Sequence, residues 1–255
     1  MPRSVAAAPR AHVSGALAAS RELRAERSRA RIASAYLVLA VAVHLGLLIH
    51  VVLLEVRLAF LPVELQDAFL RAMDDRAGAE GAINAATFLL GAVFFLRWFG
   101  SAFRAARAHG AALPATLGRS GARAFFVPIV SLYRPYQALR SLDAAIDPNG
   151  VPEAPPRPRE DDGVGGYRVQ AAVHATATPQ RRAPLRTWWA FWVAPVAMYF
   201  VRLFALDSWL LAHAGDTLAY VANVGAGVCA IVVIRRLDAR LAEYARRRNA
   251  LSAEG

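Results

Sequence analysis

The sequence predicts an all-α, polytopic membrane protein with four transmembrane helices. Apolar residues make up 56 % of the 255 residues and charged residues only 19 %, a balance that soluble domains seldom have. A membrane-spanning helix needs about 20 mainly apolar residues. Four runs approach or exceed this length, at residues 32–54, 82–99, 188–206 and 217–234. The placement of arginine around these runs is the third observation that favours this fold class.

Arginine placement gives the orientation of the four predicted spans. The formal net charge is +11, and the chain contains arginine but no lysine. Arginines dominate the N-terminal segment 1–31, the segment between the second and third spans, and the tail 235–255, whereas the two remaining loops are acidic. Because cytoplasmic loops are enriched in basic residues, we expect a multi-pass protein of the plasma (inner) membrane with both termini cytoplasmic. The charge follows this topology, so nucleic acid is not an expected partner.

A short uncharged stretch, AFFVPIVSLY at residues 124–133, lies between the second and third spans. Ten apolar residues are too few to cross a bilayer, and a fifth crossing would place the arginines that follow it outside the cell. Pro128 would also interrupt a helix, because proline lacks a backbone donor. We therefore expect residues 120–140 to form a cytoplasmic re-entrant or interfacial segment.

The predicted membrane domain comprises residues 32–234, and two further segments within it have a distinctive composition. Residues 147–184 are rich in proline, glycine and charge, which predicts a disordered linker. Residues 62–73 begin with a proline and carry apolar side chains at helical spacing. This pattern predicts a short amphipathic helix on the outer face of the membrane.

The order of several motifs resembles a bacterial membrane family. A span is followed by a tryptophan and an arginine–alanine pair, then by F-x-P-I, an aromatic-x-proline and, after the linker, two tryptophans. This order is similar to that of the family called domain of unknown function 4328, over roughly residues 32–234. Ala108 and Ser131 stand where that family usually has asparagine. The resemblance implies a polytopic membrane protein and brings no activity with it. The positions that carry it are Trp98, Arg104, Phe126, Pro128, Ile129, Leu132, Tyr133, Pro135, Tyr136, Trp188 and Trp189.

Five polar residues in the predicted spans are candidates for a chemical role. His44 and His50 are six residues apart, about 600° of helix rotation, so they face different directions and are not expected to bind one metal. Asn84 and Asn223 favour interhelical hydrogen bonds, with an ion pathway as the alternative. Arg202 is expected to extend toward the outer interface, with binding of an anion as the alternative.

These observations favour a non-enzymatic membrane module that contacts partners or lipid at its cytoplasmic face. The sequence contains no G-x-S-x-G, H-E-x-x-H, phosphate-binding loop or paired cysteines, so no catalytic, cofactor or metal residues are assigned. The expected partners are the lipid bilayer, anionic lipid at the basic N- and C-terminal segments, and a protein partner or a second copy of the chain. A small oligomeric transporter or channel built around Asn84 and Asn223 is the alternative, and a membrane-embedded enzyme is the third hypothesis.

Overall fold

The computed structural model describes residues 8–115, 117–118, 122, 133–148, 183–204 and 209–254. Of residues 8–16, 73–75, 77, 195–204, 209–214, 216 and 252–254 it describes the backbone alone. Throughout these ranges the regular elements are helical and no strand occurs, so the predicted all-α class is confirmed. The helices of the described ranges are named α1 (Ala8–Phe60), α2 (Val63–Ala108), α3 (Arg134–Ala145), α4 (Ala183–Phe204) and α5 (Trp209–Glu254).

Among the described residues, three helices are long and apolar enough to cross a membrane. Their qualifying stretches are Leu17–Phe60 in α1, Gly78–Ala108 in α2 and Thr217–Leu251 in α5. They contain the first, second and fourth spans predicted from the sequence. The 53 residues of α1 correspond to a length of roughly 80 Å, whereas the hydrocarbon core of a bilayer is about 30 Å thick. By length and composition these helices are those of a membrane protein, and α1 is longer than one crossing requires.

Residues 188–204 of the third predicted span, 188–206, lie in α4, whose described side chains end at Ala194. The side chain of Arg202 thus lies outside the described residues. The same is true of residues 120, 121 and 123–132 in the predicted interfacial segment, and of residues 149–182 in the predicted linker. The third predicted span, the interfacial segment and the disorder of the linker remain predictions.

The short outer helix predicted at residues 62–73 is not a separate element. Helix α2 begins at Val63 and continues without a break through Gly78 and Gly81 to Ala108. Glycine lowers the stability of a helix by about 1 kcal/mol relative to alanine but does not remove a backbone hydrogen bond. Two glycines without a proline are therefore insufficient to end the helix here.

One face of α1 is buried along much of its length. Its buried positions from Glu26 onward recur at alternating intervals of four and three residues, the spacing of a helix that packs along a left-handed seam. Small residues predominate, which lets neighbouring helices approach closely. The buried residues of this seam are Ala19, Glu26, Ala30, Ala33, Leu37, Ala40 and His44.

The chain divides into two compact units. The first, here called the arginine-rich unit, comprises Met1–Ile32, Leu96–Leu185 and Ile234–Gly255. Its core contains fully buried aromatic and aliphatic side chains from α2, α3 and α5. Helix α3 begins with Pro135 in its first turn, where the missing backbone donor costs nothing, and buries one face. The core includes Trp98, Phe99, Phe103, Leu139, Leu142 and Leu241.

The second, here called the apolar unit, comprises Ala33–Phe95 and Arg186–Val233. Its large apolar side chains are widely exposed: Leu39 is 58 % and Leu89 is 63 % exposed. Apolar surface of this extent is unfavourable in water and is what a lipid-facing helix presents. Others of this kind are Leu45, Ile49, Leu53, Val93, Val228 and Val232.

Aromatic rings and small residues pack the interior of the apolar unit. Trp188 stacks on Phe95 and on Trp192, with ring centroids 5.5 Å and 6.1 Å apart. In α5, a Cβ atom on Gly225 would lie 2.5 Å from the ring of Phe191, and one on Gly227 would lie 2.6 Å from Val41. These glycines therefore permit close helix packing within the chain.

Candidate functional site

The buried polar groups of the arginine-rich unit are centred on Glu26 of α1. This residue stands on the buried seam and is 0 % exposed. Its Oε1 accepts a hydrogen bond from Trp98 Nε1 of α2 at 3.0 Å. Its carboxyl group also lies within hydrogen-bonding reach of Asp238 of α5. Glu26 therefore links three helices through one buried carboxyl group.

Glu26 and Asp238 form what is here called the carboxyl pair. The pKa of Glu26 is raised from 4.5 to about 8, mainly by burial and then by hydrogen bonding and charge repulsion with the adjacent Asp238. The Trp98 donor and the charge of Arg27 act in the opposite direction but are weaker. Glu26 precedes the apolar run that begins at residue 32, so it lies outside the predicted span. At neutral pH the buried Glu26 is predominantly protonated.

A second charged cluster joins α3 to α5. Asp143 of α3 is almost buried and forms ion pairs with Arg240 and, at 3.8 Å, with Arg236. Arg240 also pairs with Asp147 at 3.4 Å. Asp143 is therefore a buried charge held by two arginines, and removal of its carboxylate would leave both without this partner.

The outward face of α1 in the arginine-rich unit carries four exposed arginines. Arg21, Arg24, Arg27 and Arg31 are all exposed. At about 100° per residue they fall within a sector of roughly 120°, away from the seam that contains Glu26. This row, here called the arginine stripe, directly precedes the apolar run at residue 32. It is therefore positioned as a cationic border of the first predicted span.

Helix α2 ends at Ala108 and is followed by His109 and Gly110. Gly110 has φ +82°, the left-handed conformation that commonly ends a helix and that glycine adopts without strain. Burial lowers the pKa of His109. A hydrogen bond between its side chain and the backbone of Ala19 in α1 acts in the opposite direction but is weaker. A neutral imidazole is thus favoured at this position.

In the apolar unit, His44 and Asn84 form a buried polar contact. His44 Nδ1 lies 2.7 Å from the carbonyl oxygen of Ala40, and Nε2 lies 2.9 Å from Asn84 Oδ1. Both partners are acceptors, so the tautomer of the ring decides which nitrogen donates. The predicted interhelical role of Asn84 is confirmed by this contact, and His44 is its partner.

Two further polar contacts connect helices of the apolar unit. His50 Nε2 lies 3.2 Å from Glu80 Oε1, and Thr217 Oγ1 donates to Glu55 Oε1 at 3.3 Å. His44 and His50 thus have separate partners, as the helix rotation predicts. Within the described chain, no three histidine, cysteine, aspartate or glutamate side chains gather closely enough to hold a metal ion.

Comparison with protein families decides the relationship that the motif order suggested. The family described as "Domain of unknown function (DUF4328)" matches residues 62–239. The chain belongs to this family. No curated protein and no solved structure matches it. Membership in the domain of unknown function 4328 family therefore gives the evolutionary relationship of the chain but assigns no activity to it.

Three of the seven described motif positions of this family are buried. Trp98 and Pro135 lie in the core of the arginine-rich unit, and Trp188 lies in the core of the apolar unit. Arg104 is exposed and lies 3.7 Å from Glu22. Tyr136 and Trp189 are half-buried, and Tyr133 is exposed. The motif positions that lie outside the described residues are Phe126, Pro128, Ile129 and Leu132.

The carboxyl pair and Asp143 were not identified from the sequence. Glu26 lies in the basic stretch SRELRAERSRAR, where its charge suggests an exposed residue. The detectable signal is its spacing, because Glu26 falls seven residues after Ala19 and four before Ala30 on the buried seam. A carboxylate at a seam position indicates a buried polar partner on another helix.

Proposed function

We propose that the protein is a non-enzymatic membrane module with four spans and both termini in the cytoplasm. Its arginine-rich unit contacts anionic lipid headgroups at the inner face of the plasma membrane. The arginine stripe is the observation that carries this proposal. A protein partner or a second copy of the chain is the alternative occupant of the same cationic surface.

The geometry of the stripe suits an anionic surface. Arg21, Arg24, Arg27 and Arg31 share one exposed face, and the apolar run of α1 begins at the next residue. This is where a helix leaving the bilayer meets the phosphate groups. Arginine binds phosphate through two parallel hydrogen bonds, which suits repeated contacts with headgroups.

The proposal is tested by lipid binding to the purified full-length chain. The variant R21Q/R24Q/R31Q removes three charges from the stripe and retains Arg27, which lies close enough to influence the carboxyl pair. A basic residue near an anionic membrane surface contributes about 1 kcal/mol. The variant is therefore expected to lose up to about 3 kcal/mol of affinity for phosphatidylglycerol, on the order of a hundredfold.

The matched control removes the same number of charges elsewhere. Arg57, Arg71 and Arg76 are exposed and precede the second predicted span in the loop expected outside the cell. The variant R57Q/R71Q/R76Q should retain the wild-type preference for phosphatidylglycerol over phosphatidylcholine, measured by native mass spectrometry. Equal losses in both variants would refute lipid contact through the stripe. Loss of a crosslinked protein with unchanged lipid binding would assign the stripe to a protein partner.

A second candidate function, a small transporter or channel, is favoured by the polar contacts of the apolar unit. The contacts of His44 with Asn84 and of His50 with Glu80 place hydrogen-bonding groups among apolar helices. Polar side chains inside membrane helices frequently line ion or proton pathways. Proteoliposomes should then conduct protons or cations, and Asn84→Leu should abolish the flux. Flux no greater than that of empty vesicles would remove this candidate.

A further inference from the structure

The carboxyl pair contains more hydrogen-bond acceptors than donors. Trp98 Nε1 donates to Glu26 Oε1. Glu26 Oε2 and Asp238 Oδ1 are buried and receive no hydrogen bond from any described residue. Ionised carboxylates can only accept, so two of them within hydrogen-bonding reach repel each other and leave these oxygens unsatisfied. A proton on one carboxyl group converts the repulsion into an O–H···O⁻ hydrogen bond.

We propose that Glu26 and Asp238 form a proton-binding site that holds one proton between two carboxyl groups and makes the packing of α1 on α5 dependent on pH. The bound proton is covalently attached to one carboxyl oxygen and donated to the other. Its release leaves two carboxylates facing each other in a buried site. This role goes beyond contact with lipid, since it concerns residues on the opposite side of α1 from the arginine stripe.

The chemistry of the site favours a proton over a metal ion. The pair offers one glutamate and one aspartate, and the described residues supply no third ligand of the usual kinds. Trp98 directs its N–H toward Glu26, and this partial positive charge disfavours a cation bound to the same carboxylate. Divalent cations commonly take six or more oxygen ligands, which this site does not provide.

The described charged groups around the pair have other partners or weak influence. On α5, Arg236 and Arg240 flank Asp238 and pair with Asp143 of α3. On α2, Arg104 pairs with Glu22 of α1, and Trp98 is uncharged. Arg27, on the same helix as Glu26, lowers the pKa of Glu26, and its effect is smaller than those of burial, Asp238 and Trp98. The remaining buried nitrogens in this unit that lack a described partner are on Arg29, Arg140 and His109.

The sign of the pH dependence follows from linkage. The pKa of Glu26 is about 8 in the folded chain, against 4.5 as its ordinary value. The folded state therefore binds the proton more tightly than the unfolded state, and stability falls as pH rises between these values. The proton contributes its full stabilisation below pH 4.5, and this stabilisation is lost as the pH rises through about 8. Between pH 6 and pH 8 the ratio of folded to unfolded chain should fall roughly fifty-fold.

The test uses the full-length chain in lipid nanodiscs and the variant Glu26→Gln. Glutamine keeps the acceptor for Trp98 and supplies an N–H donor to Asp238, so no proton is needed. The melting temperature of the wild type should fall between pH 6 and pH 8, whereas that of the variant should change much less. Infrared spectroscopy should detect a protonated carboxyl group at pH 6 that disappears toward pH 9 and is missing from the variant.

Two further variants keep the test decisive if Glu26→Gln folds poorly. Asp238→Asn replaces the repelling carboxylate by a donor, and should shift the pH dependence and the infrared signal to lower pH. Asp143→Asn, in the other charged cluster, should lower stability at every pH and keep the wild-type slope. A wild-type slope in Glu26→Gln, or the absence of a protonated carboxyl group at pH 6, would overturn the proposal. Recovery of stability at pH 8 by sodium, but not by N-methylglucamine, would show a cation site instead.

Discussion

Replacement of Trp98 by phenylalanine separates the hydrogen-bonding role of this family-motif residue from its packing role. Trp98 is fully buried, and its Nε1 donates to Glu26 Oε1 at 3.0 Å. Phenylalanine keeps an aromatic ring in the core but removes the donor. The buried carboxyl group of Glu26 then loses the one described side-chain donor that reaches its Oε1.

The magnitude has two parts. A hydrogen bond to a buried carboxyl group contributes about 2 kcal/mol. The smaller ring leaves unfilled volume, which adds about 1 to 2 kcal/mol. Trp98→Phe is therefore expected to lower the free energy of unfolding by about 3 to 4 kcal/mol. The measurement is denaturant or thermal unfolding of the purified chain in one detergent at pH 6.

Trp188→Phe is the matched control. Trp188 is also a buried motif tryptophan, but its described contacts are ring stackings on Phe95 and Trp192. It should lose only the packing part, about 1 to 2 kcal/mol. Equal losses in the two variants would refute a hydrogen-bonding role for Trp98.

The remaining predictions concern helix packing and the second charged cluster. Gly227→Ala would place a Cβ atom 2.6 Å from Val41, so it should destabilise the chain by about 1 to 3 kcal/mol in thermal unfolding. Gly46→Ala, with no atom within 4 Å of the new Cβ, should instead stabilise it by up to about 1 kcal/mol, and a loss as large as that at Gly227 would contradict the packing argument. Asp143→Ala leaves Arg240 without its buried partner and should cost about 3 kcal/mol, so a change below about 0.5 kcal/mol would show that the pair is not structurally important.

The helical class was predictable because apolar composition is a local property of each run. The ends of the helices were not. Helix α2 passes through Gly78 and Gly81, which lie between the short outer helix and the second span that the sequence predicted as separate elements. A glycine weakens a helix without terminating it unless the chain adopts an alternative, as it does at Gly110 with φ +82°.

The buried carboxyl pair was beyond prediction for a different reason. The partner of Glu26 in α2, Trp98, is 72 residues away, and Asp238 is in the last helix. Local sequence favours an exposed position for any glutamate among arginines. Burial at this position results from the packing of three helices, which no local pattern encodes, although the seam spacing of Ala19, Glu26 and Ala30 indicates which face of α1 is covered.

Cysteine accessibility tests the four-span topology on which the proposed function depends. In the Cys229→Ser background, single cysteines at Gly215 and Ser252 occupy the loop expected outside and the tail expected inside. In intact cells, a membrane-impermeant maleimide should label Gly215→Cys and leave Ser252→Cys unlabelled. Ser252→Cys should react once the membrane is opened. Labelling of Ser252→Cys in intact cells would contradict the topology and, with it, contact between the arginine-rich unit and the inner face of the membrane.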